Sequence, residues 1–262
     1  MFLKEIDSLK YEKLFSVCIL TARQDELESV SSSFYKAGFT EENSEYLYID
    51  NIGQNKYDAY DGYNQFLNKS NGEYIILAHQ DLVLEFDDIE ILKQRIEEMN
   101  KLDPNWAILG NCGFSKDNIN KRFTRITDPG VDNLKEGPFP SKVGSLDENF
   151  LVVKNDANLC LSKNIGHYHL YGTDLCIQAQ NQGFTTYVID FHLRHKSGGF
   201  PNQSFYDTKD RFISQYQNAF ESRFVRTPCT IMYISNNKFL NKLMNRKFIY
   251  SIKKRIDKIK GK

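Results

Sequence analysis

The sequence predicts an α/β protein built on a mostly parallel sheet flanked by helices. Three observations carry that reading. Apolar runs at residues 15–20, 74–78 and 106–109 are too short for helices and have no polar face, which suits strands covered on both sides. Between them lie segments whose apolar residues recur every three or four positions, the period of an amphipathic helix. The two kinds alternate through the first half of the chain, as strands joined by helical crossovers do.

Taken in order, the strand at 15–20 is followed by Thr21-Ala22-Arg23. A helix then presents Leu27, Val30, Phe34 and Ala37 on one face and stops at Gly38. Residues 46–49 form a second strand, ending at Asp50-Asn51, and a helix over 57–67 carries Tyr60, Tyr63 and Leu67 on one stripe. The Asn71-Gly72 turn feeds the strand at 74–78, which ends abruptly in His79-Gln80-Asp81. Ile89, Leu92, Ile96 and Met99 mark a further helix before Pro104 and the strand at 106–109. Residues 112–145 lose all periodicity and read as a long loop, functional or mobile. Order returns with a strand at 150–153, a helix over 173–182 ended by Gly183, and a strand at 185–189 leading into His192-Leu193-Arg194-His195-Lys196-Ser197-Gly198-Gly199.

With 262 residues the chain is long enough for one sizeable core plus an extension, and it divides on this reading into residues 1–205 and 206–262. A hydrophobic content of 40% against 26% charged residues is ordinary for a soluble globular protein, and no stretch has the apolar length of a membrane span. The opening Met1-Phe2-Leu3-Lys4-Glu5-Ile6-Asp7 mixes charges with apolar residues and lacks a signal peptide's core. Five widely spaced cysteines form neither a disulfide framework nor a zinc pattern, so a cytoplasmic location is expected.

Thirty-four basic and thirty-four acidic residues cancel, but not locally. Residues 236–262 hold ten Lys and Arg against Asp257 alone. Leu240, Leu243, Met244, Ile249, Ile252, Ile256 and Ile259 recur among them at near-helical spacing. Such a basic amphipathic helix suits contact with the inner, anionic face of a membrane, or else is a solvated helix packed on its own domain or a partly disordered tail. Nucleic acid is not an expected partner, because the body is acidic and the tail lacks a recognition fold.

Four polar clusters end strands or open helices: Thr21-Ala22-Arg23, Asp50-Asn51, His79-Gln80-Asp81 and the segment 192–199. In an open α/β sheet all of them face one edge, where ligands bind. A carboxylate after a strand also serves as a helix cap, so Asp81 has two readings, cap and ligand.

The chain resembles the GT-A fold (Rossmann-like) glycosyltransferases, close to bacterial family-2-like enzymes in which the metal motif reads His-Gln-Asp in place of Asp-x-Asp. The matching pieces are Phe15-Ser16-Val17-Cys18-Ile19-Leu20-Thr21, Tyr63-Asn64, the segment from Tyr74 to Asp81, Gly144-Ser145-Leu146-Asp147-Glu148, Tyr171-Gly172-Thr173-Asp174-Leu175-Cys176 and His195-Lys196-Ser197-Gly198. Together they cover residues 15–199 and leave the basic C-terminal helical extension outside.

The resemblance implies inverting transfer of a sugar from a nucleoside diphosphate donor, a UDP-sugar, to a hydroxyl acceptor, such as a lipid-linked or surface glycan in bacteria. It implies Mn²⁺ or Mg²⁺ held by Asp81 beside the diphosphate, with His195 as a second metal ligand or a phosphate contact. Thr21, Ala22, Arg23, Asp50 and Asn64 would then contact the nucleotide. His79 and Gln80 would stand on the donor, Asp147 would line the sugar pocket, and the loop around Thr127-Asp128-Pro129-Gly130 would close over the donor as a lid that excludes water. Asp174 would be the general base, or simply complement the positive end of its helix. Two other classes fit some of the same residues. His79-x-Asp81 with a distant His195 is the ligand order of iron oxygenases that use a 2-oxo acid, and a non-catalytic nucleotide- or membrane-binding module would keep the fold without turnover.

Overall fold

The computed structural model describes Leu3, residues 10–199 and residues 201–260. The reading of residues 1–7 therefore lies, Leu3 apart, outside the described residues, as do Gly261 and Lys262 of the basic tail.

Strand β1 (Lys13–Thr21) leads into helix α1 (Gln24–Lys36), followed by β2 (Ser44–Asp50), α2 (Ala59–Lys69), β3 (Gly72–His79), β4 (Leu82–Val83), α3 (Ile89–Leu102) and β5 (Trp106–Gly110). Local chemistry sets the helix ends. The side chain of Asp58 accepts from Asp61 N–H to cap α2, and that of Asp88 accepts from Glu90 and Ile91 to cap α3. Past the end of α1, Gly38 takes a φ of +94°, and a Cβ there would stand 2.7 Å from Ile89 Cγ2, so glycine is required twice over.

Residues 112–145 correct the expectation of a loop. They form β6 (Cys112–Phe114), β7 (Arg122–Asp128), β8 (Val131–Glu136), β9 (Ser141–Lys142) and β10 (Ser145–Leu146). The stretch expected to act as a lid is the turn of the β7–β8 hairpin, where Thr127 is buried and its hydroxyl lies 2.9 Å from His192 Nε2. Next come β11 (Phe150–Lys154), α4 (Tyr171–Asn181), β12 (Thr185–Val188), β13 (Leu193–His195) and α5 (Gln203–Ala219).

The main sheet has seven strands in the order β2-β1-β3-β11-β5-β12-β9. Strands β1, β2 and β3 are mutually parallel, as are β5 and β12; β11 runs antiparallel between β3 and β5, and β9 runs antiparallel to β12. A second sheet runs β10-β6-β7-β13-β4, with β8 paired to β7. The runs that looked apolar on both faces are buried on both: Val17, Ile19, Ile76, Leu77 and Leu109 are each at most 1% exposed. Phe15 packs edge-on to Phe39 at 5.2 Å, and Tyr74 stacks on Trp106 at 5.9 Å. This core fixes where the polar strand ends go. Register pairs Thr21 with Asp50 and Leu20 with His79, so the carboxyl ends of three strands open on one edge.

The chain forms two compact units that meet in sequence between Thr208 and Lys209. The second unit contains the end of α5, a hairpin of β14 (Arg223–Arg226) and β15 (Ile231–Ile234), and helices α6 (Lys238–Met244) and α7 (Lys247–Lys260). The extension is thus helical with a hairpin inserted. Its basic tail is two helices rather than one, because Asn245 leaves the helix to bond both the carbonyl and the N–H of Tyr233, each at 2.9 Å. No described helix is long and apolar enough to cross a membrane.

Candidate active site

At the open edge lies a cleft of about 850 Å³. Thr21, Ala22, His79, Gln80, Asp81, Asp147 and His195 all line it, together with Asn51, Tyr63, Glu148, Tyr168 and Tyr171. Residues far apart in sequence meet there because of strand register. β3 ends at His79, the chain turns through Asp81 into β4, and β4 pairs with β13 so that His195 lies opposite Leu82. A bond of 2.9 Å from Lys196 N–H to the Asp81 carbonyl locks the turn to β13.

His79 Nδ1 lies 3.8 Å from Asp81 Oδ1, and His195 Nε2 lies 3.4 Å from Asp81 Oδ2. These three ligand-type atoms fall within 4.8 Å of one another. The outer nitrogen of each imidazole is held from behind. Because β13 pairs in parallel with β7, Asp128 sits beside His195, and its carboxylate lies 3.1 Å from Nδ1. A carboxylate only accepts, so the neutral ring's single hydrogen points from Nδ1 to Asp128 or from Nε2 to Asp81, and a metal bound at Nε2 selects the former. His79 Nε2 lies 2.8 Å from the Tyr171 hydroxyl, which in turn donates to the Glu148 carbonyl at 3.1 Å. That network assigns the hydrogen of His79 to Nε2 and leaves Nδ1 facing Asp81. Two imidazole nitrogens and a carboxylate then converge, and the Ser197 hydroxyl also donates to Asp81. A proton or a cation between them relieves the convergence.

The electrostatics agree. Burial opposes the charge on His195, but the hydrogen bonds and charges of Asp81 and Asp128 outweigh it and raise the pKa. Burial also opposes the Asp81 carboxylate, yet the bonds from His195 and Ser197 and the imidazole charges hold it well below the usual carboxylate range. For His79, burial wins over the charges of Asp81 and Asp147 and lowers the pKa, keeping the ring neutral. Two neutral-capable imidazoles, one carboxylate and a hydrogen-bonded outer layer form a set that fits a divalent metal such as Mn²⁺.

The other expected residues divide. Gln80 joins the strand ends: its Oε1 accepts from Ala22 N–H at 2.8 Å and from the Thr21 hydroxyl at 3.0 Å. Asp147 is exposed to the cleft, with Oδ1 accepting from Asn149 N–H at 3.0 Å. Arg23 instead points to solvent and pairs with Asp25, Asp50 closes a local turn onto Ile52 N–H, and Asn64 exchanges two hydrogen bonds with the backbone of Leu161. None of these three lines the cleft. Asp174 is fully buried; one oxygen accepts from Ser162 N–H at 2.7 Å and the other from the Ser162 hydroxyl at 2.8 Å. Both of its oxygens are thus engaged inside the protein, away from the residues that line the cleft, where the general base was expected.

Glu148 is the acid that sequence reading passed over. It lines the cleft, and burial, with the nearby Asp147 charge, pushes its pKa up to about 8 against opposing hydrogen bonds from the backbone at Gly172 and Leu170. Gly172 permits the approach. A Cβ there would lie 2.7 Å from the Leu146 carbonyl and 3.2 Å from Glu148 Cγ. The segment leading into α4 is strained as well, with His167 and Leu170 both at φ +65°.

No family model matches the chain. Among solved structures it is similar to residues 1–349 of TarS from S. aureus, at 11% identity and a TM-score of 0.50 over 78% of this chain and 65% of that one. It is also similar to GalNAc-T7 with UDP, GalNAc and Mn²⁺, at 9% identity and a TM-score of 0.51 over 78% of this chain and 48% of that one. The chain therefore spans less than two thirds of either. Both are GT-A glycosyltransferases, and the likeness establishes the same mixed α/β fold here. In sequence, the chain is 31% identical over 214 residues to the Fuscovulum blasticum protein called ATP synthase subunits region ORF 6, an alignment that takes in 80% of this chain and 86% of that protein. The chain thus has a GT-A fold and belongs to the family of that Fuscovulum blasticum protein.

Proposed function

We propose that the chain is a metal-dependent, inverting glycosyltransferase that moves a sugar from a nucleoside diphosphate donor, a UDP-sugar, to a hydroxyl acceptor. One observation supports this above the others: the ligand atoms of His79, Asp81 and His195 gather within 4.8 Å at the wall of a cleft shared with Thr21, Ala22 and Asp147. TarS has been solved with UDP-GlcNAc and GalNAc-T7 with UDP and Mn²⁺ on the same fold, which favours a nucleotide-sugar for this cleft.

Asp81, His79 and His195 would hold Mn²⁺ or Mg²⁺, which when bound neutralises the departing diphosphate. Thr21 and Ala22 would receive the nucleotide, and Asp147 would face the sugar. The acceptor oxygen attacks the anomeric carbon from the side opposite the diphosphate, forming the new glycosidic bond as the old C–O bond breaks. Glu148 takes the acceptor's proton. A carboxyl with a pKa near the working pH is an effective base, and Glu148 lines the cleft where Asp174 does not. Asp174 then serves to position the entry into α4 through Ser162. The acceptor is a lipid-linked or surface glycan presented at the cytoplasmic face of a membrane.

A thermal-shift screen of nucleoside diphosphates and nucleotide sugars, with and without Mn²⁺, tests the reading. Stabilisation by a UDP-sugar that needs Mn²⁺, followed by release of UDP on adding acceptor, supports it. Tight nucleotide binding with no turnover would make the chain a binding module. Two imidazoles and a carboxylate are also the ligand set of non-haem iron oxygenases, so stabilisation by Fe²⁺ with 2-oxoglutarate and not by any nucleotide would favour that class.

A further inference from the structure

Helix α7 has two different apolar surfaces, and its own unit uses only one. Ile249, Tyr250 and Lys253 are half-buried on the side facing the hairpin, where the Tyr250 ring meets Phe224 at 6.5 Å and Lys253 Nζ sits 5.7 Å over the same ring. The Tyr250 hydroxyl also bonds Asn245 Oδ1 at 2.5 Å, which fixes the rotation of the helix. About a third of a turn around the axis, Phe248, Ile252, Ile256 and Ile259 form a second stripe at spacings of four, four and three. They are 54%, 50%, 43% and 74% exposed. Arg255, Lys258 and Lys247 lie along one side of this stripe, with Lys254 beyond them, and all four are exposed too.

We propose that this face of α7 docks on an anionic lipid surface, with the four apolar side chains entering the interface and the bordering cations meeting lipid phosphates. Charge selects that occupant. Residues 209–262 hold fourteen Lys and Arg against three Asp and Glu. A second copy stacked stripe to stripe would bring two such surfaces together, whereas an anionic headgroup layer neutralises the cations beside the stripe. Long basic side chains can lay their stems along the apolar surface while their charges reach the headgroups. The inference deepens the proposed membrane-proximal acceptor and rests on it only for its purpose; lipid binding itself needs no nucleotide.

The test is sedimentation of the full-length chain with vesicles of phosphatidylcholine alone or mixed with phosphatidylglycerol, without nucleotide. The chain should sediment with the mixed vesicles, be released by raised salt, and remain in solution with phosphatidylcholine alone. Ile252→Asp with Ile256→Asp should weaken partitioning at least about tenfold. Hydrogen exchange on the unaltered chain gives an independent readout: vesicles should protect the amides of α7. The proposal is overturned if the chain ignores anionic vesicles at low salt, or if exchange in α7 is unchanged by them. It is equally overturned if the double substitution lowers the melting temperature or abolishes a dimer, since the stripe then packs on protein. UDP-induced stabilisation measured on the same samples keeps a failure here separate from a failure of the transferase reading.

Discussion

His195 reaches Asp81 with Nε2 at 3.4 Å while its Nδ1 rests 3.1 Å from Asp128, so one imidazole is gripped by two carboxylates from two different strand ends. The outer carboxylate sets the tautomer and the inner one shares the ligand position. Asp128→Asn should therefore leave the fold intact yet weaken Mn²⁺ binding about tenfold to a hundredfold, and Tyr171→Phe should act the same way through His79. Calorimetric titration with Mn²⁺ reads both. Unchanged affinity in either variant would show that the outer layer does not tune the site.

Glu148 and Asp174 should separate cleanly under substitution. Glu148→Gln is expected to lower kcat by about a hundredfold to ten-thousandfold with donor affinity retained, because only proton acceptance is removed. Asp174→Asn turns an amide N–H₂ toward one of two Ser162 donors, costing about 1–3 kcal/mol of stability. Its surviving folded fraction should keep most of its kcat. Steady-state kinetics beside thermal melts decide the matter; full loss of kcat in a stable Asp174→Asn protein would return the base to position 174.

Stability should depend on pH through Glu148. Its folded pKa is raised from 4.5 to about 8, mainly by burial, so the folded state binds the extra proton between those values. Stability from this group is complete below about 4.5 and is lost as pH rises toward about 8. Melts across that window should show a decline that Glu148→Gln flattens. A variant that falls as steeply as the parent would place the titrating group elsewhere.

At Gly172 a methyl group would collide with the Leu146 carbonyl at 2.7 Å. Gly172→Ala should push α4 away from residues 146–148, expose Glu148 to water and lower its pKa. The expected readouts are a loss of about 1–3 kcal/mol in a denaturant titration and an acid-shifted pH–rate profile. An unshifted profile in a folded variant would remove α4 packing as the cause of the raised pKa.

The main sheet was legible because its strands carry long apolar runs: residues 15–19 and 74–78 are buried on both faces, and that leaves a sequence trace no surface element shares. The second sheet was not. β6, β9 and β10 span two or three residues among Gly, Asn and Lys, too short to show a period of two. The cleft was legible wherever a polar residue ends a buried strand, as at Thr21, His79 and Asp81. Arg23, Asp50 and Asn64 stand outside the cleft lining because sequence order fixes the strand end and not the direction of the side chain. Glu148 looked like any turn acid, since its burial comes from α4, more than twenty residues later. The partner that consumes Asp174, Ser162, lies in an irregular segment with no pattern to announce it.

The most direct measurement is UDP binding by calorimetry, with Mn²⁺ and then with EDTA, in the parent chain and in Asp81→Asn. Mn²⁺ should tighten UDP binding, and both EDTA and the substitution should abolish the gain. Equal UDP affinity under all of these conditions, or Mn²⁺ binding that ignores position 81, would contradict a metal-bridged donor site.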